Sequence, residues 1–161
     1  MRILGIDPGF GRLGYGVIEI GTHHAHTVLT YGCFETEKTM RREERLHLIS
    51  QKIKALCDEF QPSRLAIEEL FFNKNVNTAI GVGEARGVVL LVAAERAMPV
   101  SEYKPLQVKL AITGDGRAEK FQIQKMIQLL LRMDHAPKPD DAADALAIAL
   151  CAAQHAWQEK L

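Results

Sequence analysis

The sequence predicts an α/β protein in which helices cover a β-sheet. Three short apolar runs at the start are joined by glycine-containing links, which predicts an antiparallel meander. An amphipathic stretch comes next, and then a further buried run alternates with helical segments. The chain has 161 residues, of which 47% are hydrophobic and 25% charged, as is usual for one globular domain. We therefore expect one domain over residues 1–161, with a polar tail that frays from about residue 155.

Composition and charge exclude several classes of protein. No apolar run approaches the roughly 20 residues of a membrane span, and the start lacks a signal-peptide layout. The 3 cysteines are widely spaced, which suits a reducing, cytoplasmic compartment and argues against a disulfide framework or a zinc site. The 20 basic and 20 acidic residues cancel. Any surface for a polyanion must therefore arise from local charge segregation.

The first apolar run, residues 3–6, ends in a carboxylate, Asp7, and turns at once at a Pro-Gly pair. Without helical spacing, such a run is typical of a buried strand, and residues 14–21 and 26–36 predict the two strands that follow. A carboxylate at the tip of a buried strand needs compensation, for which a bound cation is the simplest source. The alternative is a turn aspartate that makes local hydrogen bonds.

A long helix and a second buried strand follow the meander. Apolar residues at three- and four-residue spacing predict an amphipathic helix over residues 41–60 that covers the sheet. The run at residues 64–72 predicts the strand, which carries Glu68 and Glu69. Because side chains alternate between the two faces of a strand, only one of these glutamates can share a face with Leu70. Periodicity alone does not decide which one points at a site.

The middle of the chain predicts short elements with two unusual features. Residues 78–96 form a predicted helix rich in glycine, which favours close packing against the sheet or against a second copy of the helix. A short strand at 99–103 and helices at 105–112 and 118–131 follow. Lys120 lies in the first turn of the last of these helices, where a cation opposes the helix dipole. Either an anion visits this position or the lysine bends to solvent.

The last predicted helix, residues 140–150, opens with acids. Asp141 and Asp144 share one face with Ala145 and Ile148 through i, i+3, i+4 and i+7 spacing. Acids in the first turn suit the helix dipole and could simply cap the helix. However, a helix with alanine and leucine nearly all round is largely buried, so its acidic face is expected to meet the strand tips.

Four carboxylates thus have reasons to converge. They are Asp7, one of Glu68 and Glu69, Asp141 and Asp144. Several such groups cannot all stay ionised together without positive compensation. Hard oxygen ligands on a rigid scaffold suit Mg²⁺ or Mn²⁺. With two ions about 3.5–4 Å apart, such a site can activate a water and stabilise the leaving oxygen of a phosphodiester.

Motifs that match one known family run collinearly through nearly the whole chain. They are Ile6-Asp7-Pro8-Gly9, Gly14-Tyr15-Gly16, Ala66-Ile67-Glu68, Gly83-x-Ala85-Arg86-Gly87, Gln107-Val108-Lys109, Ala118-Glu119-Lys120 and Ala143-Asp144-Ala145-Leu146-Ala147-Ile148-Ala149. With these motifs the sequence closely resembles the RuvC family of Holliday junction resolvases. The resemblance implies an RNase H-like α/β fold, a mixed five-stranded sheet with three antiparallel strands plus two parallel ones, flanked by helices.

The resemblance also implies an activity and partners. It implies a metal-dependent, structure-specific endonuclease that makes paired symmetric nicks in four-way DNA junctions during recombination and repair. The products would carry 5′-phosphate and 3′-hydroxyl ends. The implied cofactors are Mg²⁺ or Mn²⁺, two ions per active site. The implied partners are junction DNA, a second copy of the chain in a homodimer, and the RuvA–RuvB branch-migration complex.

The resemblance assigns catalysis and metal binding to four acids. Carried over residue by residue, they are Asp7, Glu68, Asp141 and Asp144. This assignment selects Glu68 over Glu69 and leaves Asp140 as the cap of the last helix.

For DNA binding, the resemblance assigns a base-stacking aromatic to Phe71 and basic residues near the scissile phosphate to Lys109 and Lys120. The alternative for Phe71 is core packing. The glycine-rich helix matches the family's dimer helix, which favours a second copy over packing within the chain. Because phosphate neutralisation supplies most nonspecific affinity, a neutral chain must gather its basic residues on one side. The candidates are Lys74, Arg86, Lys109, Arg117, Lys120 and Lys125.

Three other functions compete with this interpretation. A ribonuclease acting on RNA–DNA hybrids or structured RNA could use the same scaffold. Sugar-kinase and actin-type ATPases also open with an Asp-x-Gly strand turn, but they need two such domains around the nucleotide and this chain has room for one. A catalytically dead junction-binding module is disfavoured because all four acids are present.

Overall fold

The computed structural model describes residues 1–21, 25–70 and 76–158. Three consecutive strands come first, helices and strands then alternate, and the last three helices follow one another without an intervening strand. The elements are β1 (Arg2–Asp7), β2 (Arg12–Ile20), β3 (His26–Glu35), α1 (Arg42–Phe60), β4 (Arg64–Glu68), α2 (Val76–Glu95), β5 (Val100–Tyr103), α3 (Pro105–Thr113), α4 (Lys120–Leu130) and α5 (Asp140–Gln158).

The five strands form one mixed sheet in the order β3-β2-β1-β4-β5. Strands β1, β2 and β3 pair antiparallel, as the glycine-containing links predict. Strand β4 pairs parallel with β1, and β5 pairs parallel with β4. The mixed five-stranded sheet, with three antiparallel strands and two parallel additions, is confirmed. Its central strand is the one that carries Asp7 at its end.

Helices cover both faces of the sheet, and strand alternation decides which side chains meet which helices. Leu4 and Ile6 of β1 pack with the core under α1 and α2. Ile3 packs on the opposite face, with the core that α3, α4 and α5 complete. On β4, Ala66 belongs to the same α5-side core. Each strand therefore presents its alternate residues to α5, and this alternation continues to the strand ends.

Helix α5 lies unusually close to the sheet because glycines face it. A Cβ added to Gly5 would lie 2.2 Å from the carbonyl oxygen of Ala145, and one added to Gly14 would lie 2.0 Å from that of Asp141. Gly16 is similarly crowded by Leu146. A Cβ essentially never lies this close to a main-chain atom, so Gly5 and Gly14 require glycine, whereas a side chain at Gly16 would first have to displace the side chain of Leu146. The start of α5 is thereby held against the ends of β1 and β2.

Two boundaries differ from the sequence predictions by more than two residues. Strand β4 ends at Glu68 rather than at residue 72, after which the Glu69 amide makes one further bond to the carbonyl of Tyr103 at 2.9 Å. Helix α5 continues to Gln158, so the predicted fraying from about residue 155 is wrong up to that point. Burial of Ala153 and Ala156 holds the last turns against the core.

Within the described ranges, no helix combines the length and the apolar character that a membrane crossing needs.

Candidate active site

Two of the predicted acids end neighbouring parallel strands. Asp7 is the last residue of β1, and Glu68 is the last residue of β4. The strands pair in register up to Ile6 opposite Ile67, so their carboxyl ends meet at one edge of the sheet. Glu68 has the same strand parity as Ala66, whose side chain lies on the α5 side. Parity therefore favours Glu68 over Glu69, as the resemblance implies.

The other two acids come from the first two turns of α5. The contact of Gly14 with the Asp141 carbonyl places this end of the helix over β2. Asp144, one turn further along, raises the pKa of both Asp7 and Glu68 by charge repulsion. The structure thus brings Asp7, Glu68, Asp141 and Asp144 into one electrostatically coupled cluster.

The cluster carries more negative charge than its surroundings balance. Burial and then the charges of Glu68, Asp144 and Asp141 raise the pKa of Asp7 to about 7, with Lys120 acting in the opposite direction. Burial and then Asp144 raise the pKa of Glu68. Burial also raises the pKa of Asp144 despite the nearby Lys120. Like charges in a desolvated pocket produce such shifts, and an added cation would reverse them.

Asp141 is engaged by two residues that the sequence analysis did not single out. Its Oδ2 atom lies 2.9 Å from Nη2 of Arg12, and the thiol of Cys33 approaches the same oxygen at 3.8 Å. Arg12 also faces Glu35, with Nε 3.4 Å from Oε1. Strand parity could have indicated the position of Arg12. It lies two residues before Gly14, so both residues are on the face of β2 that α5 covers.

Lys120 pairs with the start of α5, which explains its unfavourable place in the first turn of α4. Its Nζ atom lies 3.2 Å from a carboxylate oxygen of Asp140 and 3.3 Å from one of Asp144. Asp140 also accepts a hydrogen bond from Gln124 at 2.9 Å. Because α5 begins at Asp140 itself, the expectation that Asp140 precedes and caps the helix is wrong. It is a first-turn acid that joins α5 to α4.

Lys109 lies beside the acids. Together with Glu68, Asp144 and the apolar Val108, it lines a cavity of about 140 Å³. Its Nζ atom donates a hydrogen bond to the carbonyl of Ala118 at 3.0 Å. The structure therefore places one predicted basic residue at the edge of the cluster, anchored by the loop between α3 and α4.

Three further candidates for contact with DNA fall into two groups. Phe71 and Lys74 lie outside the described residues. Arg86 is described, but its side chain is only 14% exposed and pairs with Glu102. It also donates to the carbonyl of Glu68 at 3.4 Å. Arg86 therefore fastens α2 to the ends of β4 and β5 and does not belong to an open basic surface.

The donor set fits a hard divalent cation by its chemistry. Four carboxylates supply oxygen ligands, which suit Mg²⁺ or Mn²⁺ rather than zinc, and the raised pKa of Asp7 shows a local demand for positive charge. As they stand, the described side chains contain no group of three or more His, Cys, Asp or Glu arranged to hold a metal ion. Asp141 and Asp144 are instead held by Arg12 and Lys120.

Comparison with known proteins gives a consistent result over almost the whole chain. The family model for crossover junction endodeoxyribonuclease RuvC matches residues 3–152. A RuvC from Pseudothermotoga lettingae is 50% identical over 152 residues, which covers 94% of this chain and 93% of that protein. A RuvC from Desulfitobacterium hafniense is 54% identical over 151 residues, which covers 94% of this chain and 91% of the relative.

Solved structures agree with the sequence comparison. Thermus thermophilus RuvC in complex with Holliday junction substrate has a TM-score of 0.94 and 36% identity, with 99% of this chain and 96% of that chain covered. The yeast mitochondrial Holliday junction resolvase Ydc2 has a TM-score of 0.74 at 14% identity, with 98% and 80% covered, and at that identity it supports the RNase H-like fold alone. With the family model spanning nearly every described element, this chain belongs to the RuvC family of crossover junction endodeoxyribonucleases.

Proposed function

We propose that this protein resolves four-way DNA junctions by paired symmetric cleavage, leaving 5′-phosphate and 3′-hydroxyl ends. The observation that carries the proposal is the coupled cluster of Asp7, Glu68, Asp141 and Asp144 in a chain of this family. Carboxylates from two strand tips and one helix meet at a single edge of the sheet. Such a set is suited to phosphodiester hydrolysis by hard divalent ions.

Each acid has a role in this proposal. Asp7 and Glu68 provide the rigid half of the ligand set, since each ends a strand, and Asp141 and Asp144 provide the other half from α5. When bound, two Mg²⁺ or Mn²⁺ ions supply Lewis-acid stabilisation of the phosphate and a water of lowered pKa. Lys109 and Lys120 offset the negative charge that develops on the scissile phosphate. Bound cations would also lower the pKa of Asp7 and so keep its carboxylate ionised.

The DNA is held partly by residues beyond the acids. Phe71 is proposed to stack on a base at the junction, and Lys74, Lys109 and Lys120 are proposed to contact phosphates. Lys109 and Lys120 support this role because both lie at the border of the acid cluster. With a net charge of zero, the chain is expected to bind through this local patch alone.

A homodimer is proposed to form through α2. Its outer face exposes Ile80 and Leu91, at 50% and 58%, and a Cβ added at Gly87 would meet nothing within 4 Å. Exposed aliphatic side chains around a bare glycine allow a second helix to approach closely. We further propose that residues 1–161 form one nuclease domain that acts in the cytoplasm with the RuvA–RuvB complex.

The direct test is cleavage of an end-labelled synthetic four-way junction with Mg²⁺, Mn²⁺ or EDTA in parallel. Linear duplex and RNA–DNA hybrid serve as competing substrates. We expect symmetric nicks in the junction with either ion and none with EDTA. Asp7→Asn and Asp144→Asn should retain junction binding in a gel-shift assay. Their cleavage rate should fall below about one-thousandth of that of the unaltered protein, since Asp7 and Asp144 are proposed to hold the catalytic ions.

Glu69→Gln is the matched control, because Glu69 adjoins Glu68 but has the opposite strand parity. It should cleave at close to the normal rate. Preferred cutting of the hybrid would favour the ribonuclease interpretation. Tight junction binding without any metal-dependent nicking would favour a binding module. A normal rate for Asp7→Asn or Asp144→Asn would remove that acid from the mechanism.

A further inference from the structure

Arg12 is shared between two carboxylates that belong to different parts of the protein. Its Nη2 atom lies 2.9 Å from Oδ2 of Asp141, which is a proposed metal ligand. Its Nε atom lies 3.4 Å from Oε1 of Glu35, which lies on β3 outside the acid cluster. The side chain of Arg12 is 51% exposed, so it has room to move from one carboxylate to the other.

The sheet fixes this arrangement. Arg12 pairs directly with Glu35 in the β2–β3 register, where opposite charges on facing residues attract each other. The Gly14 contact places the start of α5 over the same face. Arg12 therefore has one partner fixed by strand pairing and a second fixed by helix packing. When it leaves Asp141, it keeps Glu35.

We infer that Arg12 is a competing counter-ion that must leave Asp141 when a divalent ion binds, and that Glu35 receives it. This inference rests on the proposed function, because it takes Asp141 as a ligand. An oxygen engaged by a guanidinium is less available to a metal ion, so the Arg12 contact lowers metal affinity. Attraction by Glu35 opposes that contact and raises metal affinity. The pair together sets the ion concentration at which the site fills.

Lys120 differs from Arg12 in this respect. It pairs with Asp140 and Asp144, which are both on α5, and it has a proposed role at the scissile phosphate. Arg12 has neither a second partner on α5 nor a role assigned by the family resemblance. Its effect should therefore be on ion uptake, before any DNA is present.

Metal binding to the full-length protein without DNA tests the inference. Isothermal titration calorimetry with Mn²⁺ alone, at fixed pH and ionic strength, gives the affinity directly. For partly exposed ion pairs we expect changes of about two- to fivefold. Arg12→Gln should tighten Mn²⁺ binding, and Glu35→Gln should weaken it. In the double variant, affinity should equal that of Arg12→Gln, because Glu35 acts only by drawing Arg12 away.

The double variant separates this exchange from simple long-range charge. If Glu35 acted through space, Glu35→Gln would weaken binding equally with or without Arg12, and that result overturns the inference. Weaker Mn²⁺ binding by Arg12→Gln also overturns it, because it would mean that Arg12 positions Asp141 for the metal. The control is Glu19→Gln, which removes an equivalent pair with Arg2 at the far ends of β1 and β2 and should leave affinity unchanged.

Failure of this inference is distinguishable from failure of the proposed function. If the unaltered protein binds Mn²⁺ and cuts junctions but Arg12→Gln binds with unchanged affinity, only the counter-ion role is lost. If the unaltered protein binds no Mn²⁺ and shows no metal-dependent cleavage, both conclusions fall. Thermal unfolding of each variant establishes that it remains folded.

Discussion

The two halves of the acid cluster are built differently. The strand half, Asp7 and Glu68, ends buried strands, and burial is the first cause of the raised pKa of each carboxyl. The helix half, Asp141 and Asp144, has side chains that are 29% and 41% exposed, and each is held in an ion pair with a basic residue. Among the described residues the strand half has no ion-pair partner, whereas each acid of the helix half is partly balanced by one, although burial still raises the pKa of Asp144.

This difference indicates how a carboxylate site is kept stable before it binds cations. If all four acids were buried and ionised, mutual repulsion would oppose folding. The cost is instead largest at the end of β1, where Asp7 is partly protonated near neutral pH because its pKa is about 7. Arg12 and Lys120 balance the helix acids. Cation binding should therefore stabilise mainly the strand half.

Moving the two halves of the acid cluster apart should have the largest effect. Gly5→Ala would place a Cβ 2.2 Å from the Ala145 carbonyl, so α5 must move away from β1. We expect a loss of about 3 kcal/mol in the free energy of unfolding, as in overpacked cores, together with loss of junction cleavage. Urea denaturation measures the first effect, and the junction assay measures the second.

Gly11→Ala is the matched control for that substitution. A Cβ at Gly11 would meet only a terminal guanidinium nitrogen of Arg45, at 3.4 Å, and that flexible group can yield. The free energy of unfolding should change much less in Gly11→Ala than in Gly5→Ala. Equal losses for the two variants would contradict the idea that contact between glycine and α5 sets the geometry of the site.

The strand half should also make the stability of the protein depend on pH. In EDTA, Asp7→Asn should be more stable than the unaltered protein at pH 8. A raised folded-state pKa favours folding at low pH, and that contribution disappears as pH rises from 3.8 through about 7. At about 1.4 kcal/mol per pKa unit, the gain in the free energy of unfolding can be at most about 4 kcal/mol. Solvent near the carboxyl should reduce this gain to about 2 kcal/mol.

The measurement is thermal unfolding in EDTA from pH 4 to pH 8. The advantage of Asp7→Asn should grow across this range and level off above pH 7. Saturating Mg²⁺ should abolish it, because the unaltered carboxylate then has its cation. An advantage independent of pH would show that repulsion at Asp7 is not the cause.

The smallest expected effect concerns the balanced half. Lys120→Met removes the cation from Asp144 and Asp140, and since both partners are partly exposed, the loss should be at most about 1 kcal/mol in EDTA. The control is Lys125→Met, on the same helix, because among the described residues Lys125 bonds to the uncharged Gln128; it should have no comparable effect. A loss for Lys120→Met larger than the effect at Asp7 would reverse the proposed division between the two halves.

Much of this architecture could be predicted from local patterns. The strand that Asp7 ends is followed by a Pro-Gly turn, and Asp141 and Asp144 follow helical spacing. The sequence therefore predicts the positions of these three carboxylates. The choice of Glu68 over Glu69 needed further information, because the alternation of side chains in one strand does not show which face of that strand meets α5. The family resemblance supplied that choice, and the observed placement of Ala66 on the α5 side supports it.

Other features depend on long-range packing, which local patterns such as strand parity do not determine on their own. Arg12 reads as an ordinary charged residue in a strand, and its contact with Asp141 depends on where α5 lies, 129 positions later by residue number. The end of α5 was predicted to fray because its residues are polar, but burial of Ala153 and Ala156 against the core keeps it helical. Tertiary contact overrides local propensity in both cases.

The gap between α5 and the strands is set at Gly5 and Gly14 by main-chain atoms of the helix, the carbonyl oxygens of Ala145 and Asp141. A distance set by main-chain atoms does not change when side-chain rotamers change, so it cannot be adjusted in small steps by repacking side chains. An engineer who wished to adapt the pocket to a larger ion such as Ca²⁺ would gain little by exchanging aspartate for glutamate. The useful handle would be the strand glycines, where one methyl group shifts a whole helix.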